Sequence, residues 1–142
     1  MIVRAFLFAA LALFTLSSTS LTAGTEDRTL LALNTAEKAK VRSEMRELLV
    51  SVSEIIAALD KKNMAEVEAA ARKSGMVMVG QVEVSLKERL TPEFMKLGKS
   101  VHVGFDAIAD AAKTGGSQED IIGLLAEQTN RCTTCHSSFG LQ

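Results

Sequence analysis

The sequence has no tryptophan and no tyrosine, a single proline, two cysteines, two histidines and almost no net charge. Its 142 residues carry 16 Lys and Arg against 17 Asp and Glu, a formal net charge of −1. A charge so close to neutral gives no indication of binding to nucleic acid or to an anionic membrane surface. The length allows one domain at most. The few cysteines and histidines leave a four-ligand zinc site with none to spare.

Both cysteines lie in one pentapeptide, Cys132-Thr-Thr-Cys135-His136. C-x-x-C-H is the attachment signature of a c-type haem, in which the two thiols add across the porphyrin's vinyl groups and the histidine binds the iron. On a helix, positions i, i+3 and i+4 share one face. The three side chains can therefore hold one ring, and the motif predicts a single covalent haem c with His136 as an iron ligand.

Three other interpretations of the motif remain open. A thioredoxin-like dithiol normally follows a strand and opens a helix, whereas this pair lies near the end of a predicted helix with no strand before it. A zinc site would need His102 as its fourth ligand. A simple disulfide would give His136 no role. The haem hypothesis uses all three residues of the motif.

The first 23 residues have the pattern of a secretory signal peptide. Arg4 is their only charge, residues 5–16 form an apolar run, and small residues follow. The run is shorter than the roughly 20 residues that span a bilayer, although an uncleaved anchor is the alternative. We expect a mature domain of residues 24–142 without stable membrane insertion, exported to the periplasm of a Gram-negative bacterium, where thioether-linked haem is attached.

Four helices are predicted after a short lead-in, and each begins at a recognisable cap. An interruption is expected near Gly75, and Gly115-Gly116 should end the third helix. The expected starts are the capping boxes Asn34-x-x-Glu37, Asn63-x-x-Glu66 and Ser117-x-x-Asp120, and the pair Thr91-Pro92.

Apolar residues recur at spacings of three and four and define the faces that these helices should bury. Leu49 and Ile56 are expected to widen the first face. The short connections predict an all-α, antiparallel up-down four-helix bundle. Its core looks thin, and the small inward residues leave room for a large flat ligand. The predicted buried positions are Val41, Met45, Leu48, Val52, Ile55 and Leu59; Phe94, Leu97, Val101, Phe105, Ile108 and Ala112; and Ile121, Leu125, Gln128, Cys132, Cys135 and Phe139.

A signal peptide, four helices and a C-x-x-C-H close to the last residue together resemble the class II cytochromes c, the cytochrome c prime family, and especially its six-coordinate, methionine-ligated members. The resemblance covers the whole expected mature chain. Its most specific parts are the haem motif continued through Ser-Ser-Phe139, the segment Val41-Arg-Ser-Glu-Met45-Arg-Glu-Leu48, and the stretch from Pro92 to His102.

The resemblance implies that Cys132 and Cys135 carry the thioethers, that His136 is the proximal iron ligand and that Met45 is the distal one. This sequence departs from the family at two basic positions near the haem edge. Gly140 follows Phe139 where the family usually has a basic residue, and Val41 stands where many members have arginine. The partners of the haem propionates therefore stay open, with Arg42, Arg46 and Arg131 as candidates.

Two functions follow from the resemblance. With Met45 and His136 both on the iron, the protein would transfer electrons between periplasmic redox partner proteins rather than act as an enzyme, and His/Met ligation would raise its reduction potential. With an open distal face it would be a five-coordinate protein that binds or buffers NO or CO. A peroxidase-like activity would need a polar distal group, for which His102 is the obvious candidate.

Three further expectations concern His102, the other methionines and the oligomeric state. His102 adjoins the buried face of the third helix, which favours a partly buried, hydrogen-bonded side chain over a catalytic one. Met64, Met76, Met78 and Met95 are expected to be packing residues. By analogy with the family, the chain could form a homodimer through its first two helices, with Leu49 and Ile56 at the contact.

Overall fold

The computed structural model describes residues 27–142, which are predominantly helical. The predicted signal peptide lies outside the described residues. None of the helices within 27–142 combines the length and the hydropathy that a bilayer crossing requires. The elements, in chain order, are β1 (Thr29–Leu31), α1 (Thr35–Asp60), α2 (Met64–Lys73), α3 (Met76–Gly80), α4 (Val84–Lys87), α5 (Pro92–Lys113), α6 (Gln118–Ser138) and β2 (Phe139–Leu141).

Two of the predicted capping boxes form completely and set the starts of α1 and α6. The Asn34 side chain accepts from the Glu37 amide at 3.0 Å, and the Glu37 carboxylate accepts from the Asn34 amide at 2.7 Å. Ser117 and Asp120 make the same reciprocal pair, at 3.1 and 2.9 Å. Each box satisfies two amides that a helix start leaves without intrahelical partners.

The box predicted at the start of α2 forms only by half. The Asn63 side chain accepts from the Glu66 amide at 3.2 Å, but Glu66 does not return the bond. Its carboxylate instead meets Lys61 at 3.4 Å, on the turn that precedes the helix. The start of α5 is as predicted, since the Thr91 hydroxyl accepts from the amide of Phe94 at 3.2 Å.

The interruption expected near Gly75 is confirmed, and its cause is a close contact between helices. The Asp106 carboxylate of α5 accepts from Arg72 at 2.8 Å and from the Met76 amide at 2.9 Å, so that it caps α3. A Cβ at Gly75 would overlap this carboxylate. Glycine leaves the space that the Asp106 carboxylate occupies against the Gly75 backbone.

The main hydrophobic core lies where α2 packs against both α1 and α5 and where α5 packs against α6. The predicted faces are confirmed, but the expectation that Leu49 and Ile56 widen the first face is wrong, since these side chains are 68% and 54% exposed. The predicted residues that are buried are Val41, Leu48, Ile55, Leu59, Val101, Phe105, Ile108, Ala112, Ile121, Leu125 and Gln128.

A two-stranded parallel sheet, which the sequence analysis did not predict, joins the lead-in to the segment after α6. Thr29 pairs with Phe139 and Leu31 pairs with Leu141. A second, smaller core lies beside it, in which Leu31 and Leu33 are buried and the Phe94 and Phe139 rings meet edge to face at 5.3 Å. The end of α6, where the C-x-x-C-H motif lies, is therefore held both by the pairing of β2 with β1 and by the contact of Phe139 with Phe94.

Candidate functional site

A cavity of about 550 Å³ opens between α1, the α3–α5 segment and the last turns of α6. This volume is within the range of about 300–1,000 Å³ that is typical of small-molecule sites. Most of the wall is apolar, and side chains such as Leu48, Val82, Leu86 and Phe94 contribute to it. A cavity of this kind suits a largely hydrophobic ligand.

All three side chains of the haem motif line this cavity. Cys132, Cys135 and His136 lie on the last two turns of α6, at positions i, i+3 and i+4, and the two cysteines are half-buried and not joined to each other. The face of α6 predicted from the sequence is therefore the face that meets the cavity.

Burial raises the pKa of both thiols above the ordinary value. For Cys135 the neighbouring thiol at Cys132 adds to the increase, whereas for Cys132 its own backbone amide and Arg131 oppose it. A catalytic redox dithiol needs the opposite shift, which is normally provided by a helix N-terminus. This pair lies at the other end of its helix, so the environment disfavours the thioredoxin-like interpretation.

Two methionines contribute thioethers to the cavity wall. Met45 comes from α1, where it is half-buried beside Leu48 and packs against the main core. Met95 comes from the first turn of α5 and lines the same cavity, which the sequence analysis did not predict. Met64 and Met78 pack against the main core instead. The structure thus brings Met45 and the motif to one cavity, together with a second candidate thioether.

His102 is buried, as predicted, and both of its ring nitrogens have partners. Nδ1 lies 2.8 Å from the Ser74 carbonyl oxygen and Nε2 lies 3.1 Å from the Glu44 carboxylate. Burial alone would lower the pKa of His102, but the bonds to Glu44 and Ser74 outweigh it and the pKa is raised. An acceptor faces each ring nitrogen, and a neutral imidazole can donate from only one of them. Both hydrogen bonds therefore form only when the His102–Glu44 pair holds one proton more than the neutral ring carries. His102 and Glu44 both line the cavity, but a histidine bonded in this way has no free nitrogen for distal acid–base chemistry.

Gly98, in the second turn of α5, leaves part of the cavity wall without a side chain. It lines the cavity, and a Cβ placed on it would meet no atom within 4 Å. Glycine inside a helix costs about 1 kcal/mol relative to alanine, and neither a close backbone contact nor a positive φ requires it here. An interior helix glycine that faces open space is what a large flat ring against the helix would need.

The donor set and the cavity together fit a covalent haem. Two thiols and an imidazole share one face of α6, and a thioether from α1, an apolar wall and a side-chain-free patch at Gly98 complete the cavity. Among residues 27–142, no group of three or more His, Cys, Asp or Glu side chains is gathered to hold a metal ion. Searches with this chain matched no family model, no curated protein and no solved structure.

Proposed function

We propose that this protein is a c-type cytochrome of the class II kind, which binds one haem covalently and transfers electrons between proteins of the periplasm. In this proposal α1, α2, α5 and α6 are the helices of an antiparallel four-helix bundle. The observation that carries it is that the only two cysteines and His136 meet on one apolar cavity.

The bound haem would supply an iron that gains and loses one electron. Cys132 and Cys135 would fix the ring to α6 as thioethers. The His136 imidazole and the Met45 thioether, which comes from α1, would be the iron ligands. Apolar side chains would keep water away from the ring, and a hydrophobic surround tunes the reduction potential.

Two observations support electron transfer over catalysis. Met45 lines the cavity together with His136, and if both side chains bound the iron, no coordination site would remain for a substrate. The one polar pair on the wall, His102 with Glu44, is committed to hydrogen bonds with itself and with the Ser74 carbonyl. A peroxidase-like reaction would need such a group to be free.

Covalent attachment is tested on the mature protein isolated from a host that attaches haem c. Acid–acetone extraction followed by mass spectrometry should leave one haem mass on the polypeptide, and the denatured protein should contain no titratable thiol. The variant Cys132→Ala/Cys135→Ala, expressed in the same way, is the control. Complete loss of haem into the organic phase, with two free thiols on the chain, would refute the proposal.

Gas binding is the second candidate function, because the residues beside Met45 on the cavity wall, such as Val41 and Leu48, are apolar. If Met45 stands off the iron, the distal side becomes a pocket for NO or CO. Spectra of the oxidised, reduced and CO-treated holoprotein distinguish the two functions. A low-spin oxidised spectrum with slow CO uptake supports electron transfer, whereas a high-spin protein that binds CO at once supports gas binding.

A further inference from the structure

Three lysines line the cavity, and two of them mark its mouth. Lys87 is half-buried at the end of α4, while Lys96 and Lys99 are exposed on the first turns of α5. Positions 96 and 99 are three apart and therefore share one face of the helix. A side chain that lines a cavity and is also open to solvent lies at the rim, so the ammonium groups of Lys96 and Lys99 belong to the opening.

The three ammonium groups have no acidic partner among the described residues, whereas Lys40 and Arg89 each have one. Lys40 pairs with Glu83, and Arg89 pairs with Glu37 at 3.1 Å. Among residues 27–142, Glu44 is the one carboxylate that lines the cavity, and it is bonded to His102. The mouth of a mostly apolar cavity therefore carries an excess of positive charge.

The basic residues that the sequence analysis offered for the propionates do not lie on this cavity. Arg42 and Arg46 are exposed and do not line it. Arg131 lies 3.4 Å from the Glu127 carboxylate and 3.4 Å from Gln128. The position after Phe139 is Gly140, which lies in β2 and has no basic side chain.

We propose that Lys87, Lys96 and Lys99 bind the two propionates of the haem at the mouth of the cavity. The inference rests on the proposed function, because it needs a covalent haem. A porphyrin in an apolar cavity must direct its two carboxylates toward solvent, since an unpaired buried carboxylate is costly. Lysine supplies three donors and a full positive charge on a flexible stem. Lysines on α4 and α5 would therefore bind the propionates in place of the basic residues that the family has at the positions of Val41 and Gly140.

The ion pairs that Lys96 and Lys99 would form with the propionates are solvent-exposed, so their contribution to the stability of the fold is small. Their effect should appear in the reduction potential of the iron. A nearby positive charge favours the reduced haem. We expect Lys96→Gln/Lys99→Gln to shift the equilibrium between oxidised and reduced protein about tenfold toward the oxidised form, which is about 59 mV for one electron. The charge-conserving Lys96→Arg/Lys99→Arg should keep the wild-type potential. Lys113→Gln, at the far end of α5 and paired with Glu68, is the matched control.

A direct measurement accompanies the potentials. In the reduced holoprotein, or in its CO adduct if the reduced iron is high-spin, proton NMR should show Overhauser effects between the propionate methylenes and the ε-methylenes of at least two of the three lysines. Haem content is measured on every sample by mass. A haem-loaded protein without these effects, whose Gln variant shifts no more than the Lys113→Gln control, overturns the lysine assignment and leaves the lysines as solvent-facing charges. Absence of covalent haem from the wild type overturns the proposed function and this inference with it.

Discussion

Replacing His102 by leucine should destabilise the holoprotein substantially, because two helices and a helix end depend on its ring. His102 is 3% exposed and connects Glu44 of α1 with the Ser74 carbonyl at the end of α2. The Ser74 hydroxyl extends the connection by bonding to Ser51 of α1 at 2.8 Å. Leucine has a similar size but donates no hydrogen bond, so the Ser74 carbonyl and the Glu44 carboxylate would lose their donor.

The cost follows from those partners. A buried carbonyl without a donor costs about 1–3 kcal/mol, and a hydrogen bond to a charged group contributes about 1.5–3 kcal/mol. The Glu44 side chain is 25% exposed and can recover part of its loss by turning to water. We therefore expect His102→Leu to lower the free energy of unfolding by about 2–4 kcal/mol, which for a domain of this size is a fall in Tm of roughly 6–15 °C.

The pH dependence of stability should change as well. Burial opposes protonation of His102, but Glu44, the Ser74 carbonyl and the charge of Asp106 outweigh it, so the native pKa lies above 6.5. A raised native pKa stabilises the fold fully below the unfolded value and loses that effect as pH rises through the native value. Wild type should therefore lose stability above about pH 6.5, by at most about 1.4 kcal/mol per pH unit for this single proton. His102→Leu should lack that component.

Thermal melts followed by circular dichroism at pH 5, 7 and 9 measure both effects. Val103→Ala is the matched control, since it changes the next residue of α5, whose side chain is 48% exposed, and should alter stability by no more than about 0.5 kcal/mol. If His102→Leu melts within 3 °C of wild type at pH 5, the ring does not join α1 to the end of α2 as argued. An unchanged pH profile would show that His102 takes up no extra proton on folding.

Three further experiments, each based on substitutions, test the cavity and its ligands. Met45→Ala should turn a low-spin holoprotein high-spin and let CO bind readily, while Met95→Ala should leave both properties unchanged; the reverse result would assign the ligand to Met95. Gly98→Leu should place a side chain where the ring would lie and reduce haem loading several-fold, whereas Gly123→Leu, at an exposed glycine of α6 with open space around it, should not. Cys132→Ala/Cys135→Ala should be partly or wholly unfolded by circular dichroism, because the cavity would lack its covalent ligand; melting as cooperative as the holoprotein's would show that the core alone suffices.

The helices and their buried faces could be predicted because their signals are local. Asn34 and Ser117 meet their partners three residues along the chain, and the spacing of Leu48, Ile55 and Leu59 determines one helix face whatever packs on it. Such signals do not fix how far a face extends. For this reason the prediction that Leu49 belonged to the buried face was wrong.

The cavity wall and the sheet depend on contacts between distant residues, which spacing alone does not reveal. Met95 lines a cavity whose other walls come from α1 and α6, and the spacing of apolar residues within α5 does not reveal those neighbours. Gly98 left a signal that could have been used, namely a glycine with no structural need inside a strong helix. The strand at Thr29–Leu31 is three residues long, and its partner follows α6. Three residues are too few to show the alternation of apolar and polar side chains that predicts a strand.

We expect the molecule to open most easily at the small sheet. Thr29 and Phe139 are 110 positions apart in the chain, and closing a loop of that length costs about 4 kcal/mol in the logarithmic term alone. Two three-residue strands cannot offset this by themselves. We therefore expect them to pair only after the helices have assembled and to separate before the helices do. Their separation would free the end of α6 and admit solvent to the motif side of the cavity. The amides of β1 and β2 should consequently exchange with deuterium sooner than those of the α5 core, and the rate at which they do so measures how often the site is open.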